Sequence, residues 1–175
     1  GQAVAVSRHR YGCRVLCRLF QHCSILESLG DLIEEVLEEV ASMVCHPFAR
    51  HVVGAILESE KPEHQCRVAN AIVEDVATFA RHRHGSHVVE SALQHSNDDL
   101  KAKLAHKLQN DQGGLEDLAQ CQFGAFVAAA MLALKGEVSK EAWRQLQAAQ
   151  PVLKLNKYGR RLLKDLAEAA AATAA

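Results

Sequence analysis

Five trios of side chains along the chain contain the groups that are best suited to bind a ligand. Their chemistry is that of binding: a carboxylate and a hydroxyl that form hydrogen bonds, aromatic rings and guanidinium groups that stack, and cations that attract phosphate. Within each trio the residues are separated by one and then three positions. The trios, numbered one to five, are Cys13, Arg14 and Cys17; Arg50, His51 and Gly54; Ser86, His87 and Glu90; Ala125, Phe126 and Ala129; and Arg160, Arg161 and Lys164.

Catalysis has little support in the residue patterns. The chain has no H-E-x-x-H, no G-x-S-x-G and no phosphate-binding glycine loop. Ser86 and His87 are adjacent on one predicted helix and project about 100° apart, so they are poorly placed to share a proton with each other. We therefore predict that the protein is not an enzyme and that it uses no cofactor.

The six cysteines contain no C-x-x-C pair, and a chain of 175 residues does not need disulfides to be stable. Cys13 and Cys17 lie one helical turn apart, and a zinc site with His9 and His46 is the alternative to free thiols. Structural zinc ligands normally come in tight pairs, which disfavours this site. We predict reduced thiols, no metal and an intracellular, reducing compartment; the cytoplasm is favoured, and nuclear and organellar locations stay open.

Each trio follows a small residue that recurs with a period near 36. Gly12, Ala49, Gly85, Gly124 and Gly159 are separated by 37, 36, 39 and 35 residues. Counted from each small residue, the trio occupies positions +1, +2 and +5, and apolar residues fall at +3, +4, +7 and +8, which is one stripe of a helix. We expect the small residue to let the incoming chain pass close by. The predicted core stripe consists of Val15, Leu16, Leu19 and Phe20; Val52, Val53, Ile56 and Leu57; Val88, Val89, Ala92 and Leu93; Val127, Ala128, Met131 and Leu132; and Leu162, Leu163, Leu166 and Ala167.

The stretches between these segments also have helical spacing of apolar residues, over 25–44, 68–76 and 100–108. No alternation typical of a strand extends over a useful length. Helical units repeated at this period are typical of an all-α solenoid, in which each unit packs only on its neighbours. The longest apolar run has ten residues, from Ala125 to Leu134, whereas a membrane-spanning helix needs about 20.

The segments RYGCRVLC (10–17), HPFARHVV (46–53) and HGSHVVE (84–90) closely resemble the repeat of the Pumilio (PUF) family. The resemblance implies a single array over 1–175 of about five three-helix repeats, centred on 11–17, 48–54, 84–90, 123–129 and 158–164, that form a curved superhelix. An Ala-rich tail covers 167–175. Such arrays bind single-stranded RNA along their concave face, one base per repeat. The resemblance further implies that the +1 and +5 side chains contact a base edge and that the +2 side chain stacks between bases.

Two trios are similar to base-reading repeats of that family. Ser86 and Glu90, with His87 stacking, match its guanine reader, because a carboxylate can accept hydrogen bonds from guanine N1–H and N2–H. The first trio matches an adenine-type repeat at Cys13 and Arg14. It departs from that pattern at its +5 position, because Cys17 stands where the family has Gln.

The other three trios depart further from the family pattern. In the second, Arg50 and Gly54 replace the expected Asn and Gln, which leaves His51 as the stacking group. The fourth offers Phe126 for stacking, and its two alanines have no side-chain hydrogen-bonding group. The fifth consists of three cations, which suit phosphate better than base edges. The resemblance therefore implies an RNA-binding face with weak base selectivity.

Basic and acidic residues are separated along the repeat: the segments around the trios are basic, and the rest of the chain is acidic. The windows 8–18, 46–54, 81–90, 121–129 and 154–164 contain 12 of the 20 Lys and Arg, six of the ten His and one of the 21 acids. They carry a net charge of +11 and the remainder carries −12, although the whole chain is only −1. A basic row of this kind attracts a phosphate backbone by counterion release, and its histidines add charge at mildly acidic pH.

Two functions are consistent with these observations. The first is an RNA-binding module that contacts single-stranded RNA by stacking and phosphate contacts. The second is a protein-interaction scaffold within a larger ribonucleoprotein assembly, which has kept the solenoid and lost base-specific reading. Partners are accordingly single-stranded RNA, protein subunits of such an assembly, and no membrane.

Overall fold

The computed structural model describes residues 1–22, 28–59, 61–110 and 113–173. Cys23, the predicted helical positions Ile25 and Leu26, and the last two alanines of the tail lie outside the described residues. The regular elements of the described ranges are helices: α1 Ala3–Ser7, α2 Gly12–His22, α3 Ser28–Glu38, α4 Val40–Met43, α5 Ala49–Leu57, α6 Pro62–Ile72, α7 Val76–Arg81, α8 Gly85–His95, α9 Asp98–Asn110, α10 Gly114–Gln120, α11 Gly124–Ala133, α12 Glu137–Ala148, α13 Gln150–Leu153 and α14 Lys157–Thr173.

The helices are arranged in two layers joined by short helices. In the first layer α2, α5, α8, α11 and α14 pack side by side in chain order, and we call them the row helices. In the second layer α3, α6, α9 and α12 pack in the same order. The short helices α4, α7 and α10 each contact the row helix and the second-layer helix that follow them. The predicted fold class, an all-α solenoid, is confirmed for the described residues.

The row helices begin close to the preceding short helix, and this requires small residues. A Cβ atom on Gly12 would lie 2.5 Å from the carbonyl oxygen of Val6, and one on Gly85 would lie 2.6 Å from that of Phe79. Both distances are well below van der Waals contact. Ala49 is fully buried at the same position of α5, so the second repeat accommodates one methyl group.

A side-chain cap precedes most row helices and was not foreseen from the sequence. The Nδ1 atoms of His9, His46 and His82 each accept two hydrogen bonds, of 3.1–3.3 Å, from backbone N–H groups at the helix start. Asn156 accepts the equivalent pair before the last row helix, and Cys121 occupies this position before α11. These bonds satisfy N–H groups that have no partner within the helix.

The predicted core stripe is buried throughout the second and third repeats; in the fourth Leu132 is half-buried, and the prediction is wrong in part at the two ends. Val15, at +3 of α2, is 58% exposed and Leu19 is only half-buried, whereas the +3 residues of the four later repeats are at most 3% exposed. In the last repeat Leu163 is half-buried and Ala167 is exposed. The reason is that +3 and +4 face opposite neighbours: no described row helix precedes α2, and none follows α14.

The described helices include none that is long and apolar enough to span a membrane. Cys13, Cys17, Cys45, Cys66 and Cys121 are free thiols.

Candidate functional site

The five trios occupy one side of the row helices, which follow one another in space. Cavities between neighbouring row helices join the first trio to the second, the second to the third, and the fourth to the fifth. The exposed members of the trios are Arg14, His51, His87, Phe126, Arg160, Arg161 and Lys164, and the half-buried members are Cys17, Arg50, Gly54, Glu90, Ala125 and Ala129. Glu90, Arg160 and Lys164 line none of these three cavities.

The two remaining trio residues are buried, which departs from the prediction that they contact a ligand. Cys13 is 3% exposed and its Sγ donates to the carbonyl oxygen of Arg10 at 3.4 Å. Ser86 is 1% exposed, and its hydroxyl has no hydrogen-bond partner among the described residues. Position +1 lies in the first turn of a row helix, where side chains of adjacent residues cover a short side chain. Cys13 nevertheless borders the cavity beside the first trio, whereas Ser86 lines none of the three cavities.

Around the first trio a cavity of about 430 Å³ is lined by cations and thiols. Burial, followed by the nearby Cys13 and Glu58, raises the pKa of the Cys17 thiol to about 11, so this thiol stays protonated at neutral pH. The guanidinium of Arg10 lies 5.3 Å from the centre of the Tyr11 ring. This end of the row therefore offers Arg14 and an exposed aromatic ring for stacking, with only a weak thiol donor beside them.

Between α2, α5 and α8 lies a cavity of about 260 Å³ with cationic walls. It is lined by Arg50, His51 and His87, together with Cys17, Gly54, Ala55, Glu58, Gln21, Val88 and Ser91. Burial, followed by the charges of Arg50 and its neighbours, lowers the pKa of His51. Burial and then Arg50 also lower the pKa of His87 and of His84. The lowered pKa values keep these imidazoles largely neutral at neutral pH, so Arg50 is the charged base of the lining; an anion beside it would favour the charged imidazole forms.

Glu90 is the acidic member of the five trios. Its Oε1 is buried without a hydrogen-bond partner in the described part of the chain, and it lies 3.7 Å from His87 Nδ1, too far for a hydrogen bond. Burial raises the pKa of the Glu90 carboxyl group. A half-buried carboxylate with an unsatisfied oxygen is suited to accept N–H groups of a ligand.

Between α11 and α14, an aromatic and cationic cavity of about 270 Å³ joins the last two trios. Phe126 and Tyr158 line it together with Lys157 and Arg161, and the Arg161 guanidinium lies 5.7 Å from the centre of the Phe126 ring. Asp165 also lines it, and its Oδ2 lies 3.8 Å from Arg161 Nε. Since the fourth trio otherwise contributes only methyl groups, this cavity can hold a flat ring by stacking and can attract its phosphate.

Several lining residues outside the trios were missed by the sequence reasoning. Tyr11, Phe48 and Tyr158 directly precede the small residue of their repeats, as do His84 and Phe123 in theirs. Phe48 and Tyr158 line the cavities beside their row helices. The recurrence of a ring at this position was visible in the sequence, and it is the signal that could have identified them.

Ion pairs lie mainly in or near the second layer. Glu34 pairs with Arg67, Glu74 pairs with Lys107 at 3.0 Å, and Glu137 and Glu141 pair along α12 with Lys140 and Arg144. The basic residues of the row helices and the acidic residues of the second layer therefore occupy different parts of the molecule. Within the described ranges no three His, Cys, Asp or Glu side chains lie close enough to hold a metal ion.

Residues 13–119 match the family model of the NOP9-like PUF repeat domain. No curated protein sequence is significantly similar to the chain.

Solved structures with the same fold include three RNA complexes. The RNA binding domain of Puf4, bound to an HO endonuclease RNA 3′ UTR recognition sequence, has a TM-score of 0.85 at 21% identity, covering 96% of this chain and 53% of that one. PUF-8 in complex with PBE-RNA has a TM-score of 0.84 at 20% identity, covering 95% and 49%. The RNA-binding domain of yeast Puf5p, bound to SMX2 RNA, has a TM-score of 0.78 at 14% identity, covering 95% and 48%. At these identities the likeness establishes the fold, and the chain spans about half the length of these domains.

Proposed function

Because the chain belongs to the family of NOP9-like PUF repeat domains, we propose that it is a module that binds single-stranded RNA along its row helices. In this proposal residues 1–175 act as a single array. Contact is made by stacking on exposed rings and by basic residues that hold phosphates, and base selectivity is weak. The solved domains with this fold carry RNA in their own structures, which supports the choice of ligand.

The observation that carries the proposal is the combination of exposed rings and cations on one side of the first layer. His51, His87 and Phe126 are exposed at +2 of three successive row helices. Cations lie beside them, with Arg50 in the cavity that His51 and His87 line and Arg161 next to Phe126. A solvated surface without a ligand has no reason to collect both groups and to leave most of the acids to the rest of the molecule.

Selectivity is expected to be weak, since most repeats lack groups that read a base edge. Ala125 and Ala129 have no hydrogen-bonding side chain, and Gly54 leaves an open space at +5. Stacking tolerates any base and contributes about 1–3 kcal/mol per base. Affinity therefore does not require a complete code. The proposed exception is the third repeat, where Glu90 favours guanine.

The experiment that tests the proposal measures binding of fluorescent single-stranded RNA oligomers to the chain over a range of salt concentrations. We expect binding that weakens steeply as salt increases, because phosphate contacts release counterions. Phe126→Ala should weaken binding about 5- to 100-fold by removing one stacking platform, with little change in salt dependence. Trp143→Ala is the matched control, since Trp143 is similarly exposed but lies on second-layer helix α12. Absence of binding at low ionic strength would refute the proposal.

The second candidate is a protein-interaction scaffold of a ribonucleoprotein assembly. It is favoured by large apolar side chains that stay exposed outside the row cavities, among them Trp143 on α12 and Leu155 after α13. It predicts that Phe126→Ala and Trp143→Ala affect protein binding and that no RNA oligomer binds at any salt concentration. The salt titration separates the two functions.

A further inference from the structure

We propose that the cavity between α2, α5 and α8 binds a phosphate group through Arg50, His51 and His87, so that the second repeat holds the RNA backbone and reads no base. This inference rests on the proposed function and names the chemistry of one of its sites. It assigns to Arg50 a role that differs from base-edge contact at the +1 position.

The cavity exists because residue 54 is glycine. No atom lies within 4 Å of the place where a Cβ on Gly54 would stand, so the +5 position of α5 opens onto empty space. In a base-reading repeat a long side chain at +5 would fill this space. Its volume of about 260 Å³ is sufficient for a phosphate with its adjoining sugar atoms.

Two polar atoms in the walls of the cavity are buried without a protein partner. The Nε–H of Arg50 and the hydroxyl of Ser91 make no hydrogen bond within the described residues. A buried donor that lacks an acceptor destabilises the folded chain. Both groups can donate, and a phosphate offers acceptors only, so one phosphate can satisfy both.

The charges that surround the cavity also favour an anion. Arg50 and His51 of α5 and His87 of α8 line it. Burial, followed by the charges of Arg50, His87, His84 and Arg14, lowers the pKa of His51. A neutral base edge would leave the repulsion among these groups in place, whereas a phosphate relieves it.

One carboxylate also lines the cavity. Glu58 lies at its α2 end, where its charge raises the pKa of Cys17. The phosphate is therefore placed at the opposite end of the cavity, between α5 and α8. At that end Arg50, His51 and His87 meet.

Phosphate binding at this place should be linked to proton uptake. A bound anion favours the charged form of His51 and His87, so it raises the pKa of both groups relative to the free chain. RNA affinity is then expected to increase as the pH falls from 7.5 to 6.0. The increase should be larger in the native chain than in the Arg50→Gln variant.

The test compares Arg50→Gln with Arg67→Gln, which removes the same charge from second-layer helix α6. In RNA binding at constant ionic strength, Arg50→Gln should lose about tenfold in affinity and most of the pH dependence, because a charged hydrogen bond is lost. Arg67→Gln should change affinity less than twofold. Equal, small effects of both variants would overturn the proposal even if the chain binds RNA well.

The source of the phosphate is resolved with modified oligomers. If the site holds an internal phosphodiester, replacing one linkage by an uncharged methylphosphonate should cost the native chain about tenfold and cost Arg50→Gln much less. If the site holds a terminal phosphate, removing the 5′-phosphate of the RNA should cost the native chain about tenfold in affinity and cost Arg50→Gln much less. Methylphosphonate replacement of an internal linkage should then have little effect on either chain. Affinity that is insensitive to every single replacement in the native chain would refute the site.

A measurement without RNA keeps this proposal separate from the proposed function. Addition of inorganic phosphate should shift the imidazole NMR signals of His51 and His87 towards those of protonated rings, and Arg50→Gln and Gly54→Gln should abolish the shift. Unperturbed signals at millimolar phosphate would contradict the site. If RNA does not bind but phosphate shifts these signals, the proposed function fails and the anion site stands.

Discussion

At the scale of single residues, what a trio can bind depends on exposure as much as on residue type. Cys13 and Ser86 have the side chains that a base-reading repeat uses at +1, but both are buried. Glu90, one turn along the same helix as Ser86, has a side chain that is 27% exposed and a buried Oε1 with no hydrogen-bond partner among the described residues. Guanine preference in the third repeat is therefore expected to come from Glu90.

Glu90→Gln removes the charge and half of the acceptor capacity of this side chain. It should reduce the preference for guanine at one position of the RNA about tenfold, since hydrogen bonds to a charged acceptor contribute about 1.5–3 kcal/mol. The measurement compares oligomers that differ in a single base. Glu38→Gln, on the exposed side of α3, is the control and should leave the preference unchanged. A uniform loss of affinity across all sequences would show that this repeat does not read a base.

At the scale of the helices, the residue three positions before each small residue decides how the row helix begins. His9, His46 and His82 accept hydrogen bonds through Nδ1. Each of these rings is therefore neutral and carries its proton on Nε2. Protonation of Nδ1 abolishes the cap. At His46, whose pKa is lowered by burial and by the charge of Arg8, the stability of the fold is thereby linked to pH.

The free energy of unfolding should fall in mild acid. Burial and the charge of Arg8 lower the pKa of His46 from 6.5, and burial also lowers the pKa of His51, His64 and His84. The unfolded chain then binds more protons than the folded chain, so stability is complete above about pH 6.5 and is lost as the pH drops through the folded pKa values. Urea unfolding at pH 7.5 and 5.5 measures this loss.

His46→Asn separates the cap from the other histidines. Asparagine caps a helix without titrating, as Asn156 does before α14, so stability at pH 7.5 should change by less than about 1 kcal/mol. The decrease between pH 7.5 and 5.5 should be smaller than in the native chain. An unchanged pH dependence would mean that the loss comes from the other histidines alone.

At the scale of the whole molecule, a net charge of −1 conceals two oppositely charged parts. The row helices present basic residues and rings, while most of the ion-paired acids of the described residues lie in or near the second layer. Because each repeat contributes one helix to each layer, a bias of charge along the 36-residue period becomes a separation in space. Long-range attraction of a polyanion then acts on one side only.

Neutralising three cations on one layer should reveal this separation. The variant with Arg160, Arg161 and Lys164 changed to Gln should reduce the slope of log affinity against log salt by up to about two, at about 0.7 per phosphate contact. The control changes Lys103, Lys140 and Arg144 to Gln, which removes the same charge from α9 and α12. Equal slopes for the two variants would contradict a phosphate-binding face on the row helices.

The sequence alone determined the features that arise locally or from the period: the helices, their spacing, the small residues at close approaches, and the alternation of charge between helices. A helix is stabilised by bonds between residues four apart, and a repeat packs only on its neighbours, so both can be inferred along the chain. Only the tertiary structure decided which trio residues are accessible, that Val15 is exposed, and that Gly54 opens a cavity beside Arg50. Burial and cavities depend on side chains from adjacent repeats about 36 residues away, and the spacing within one helix contains no information about them.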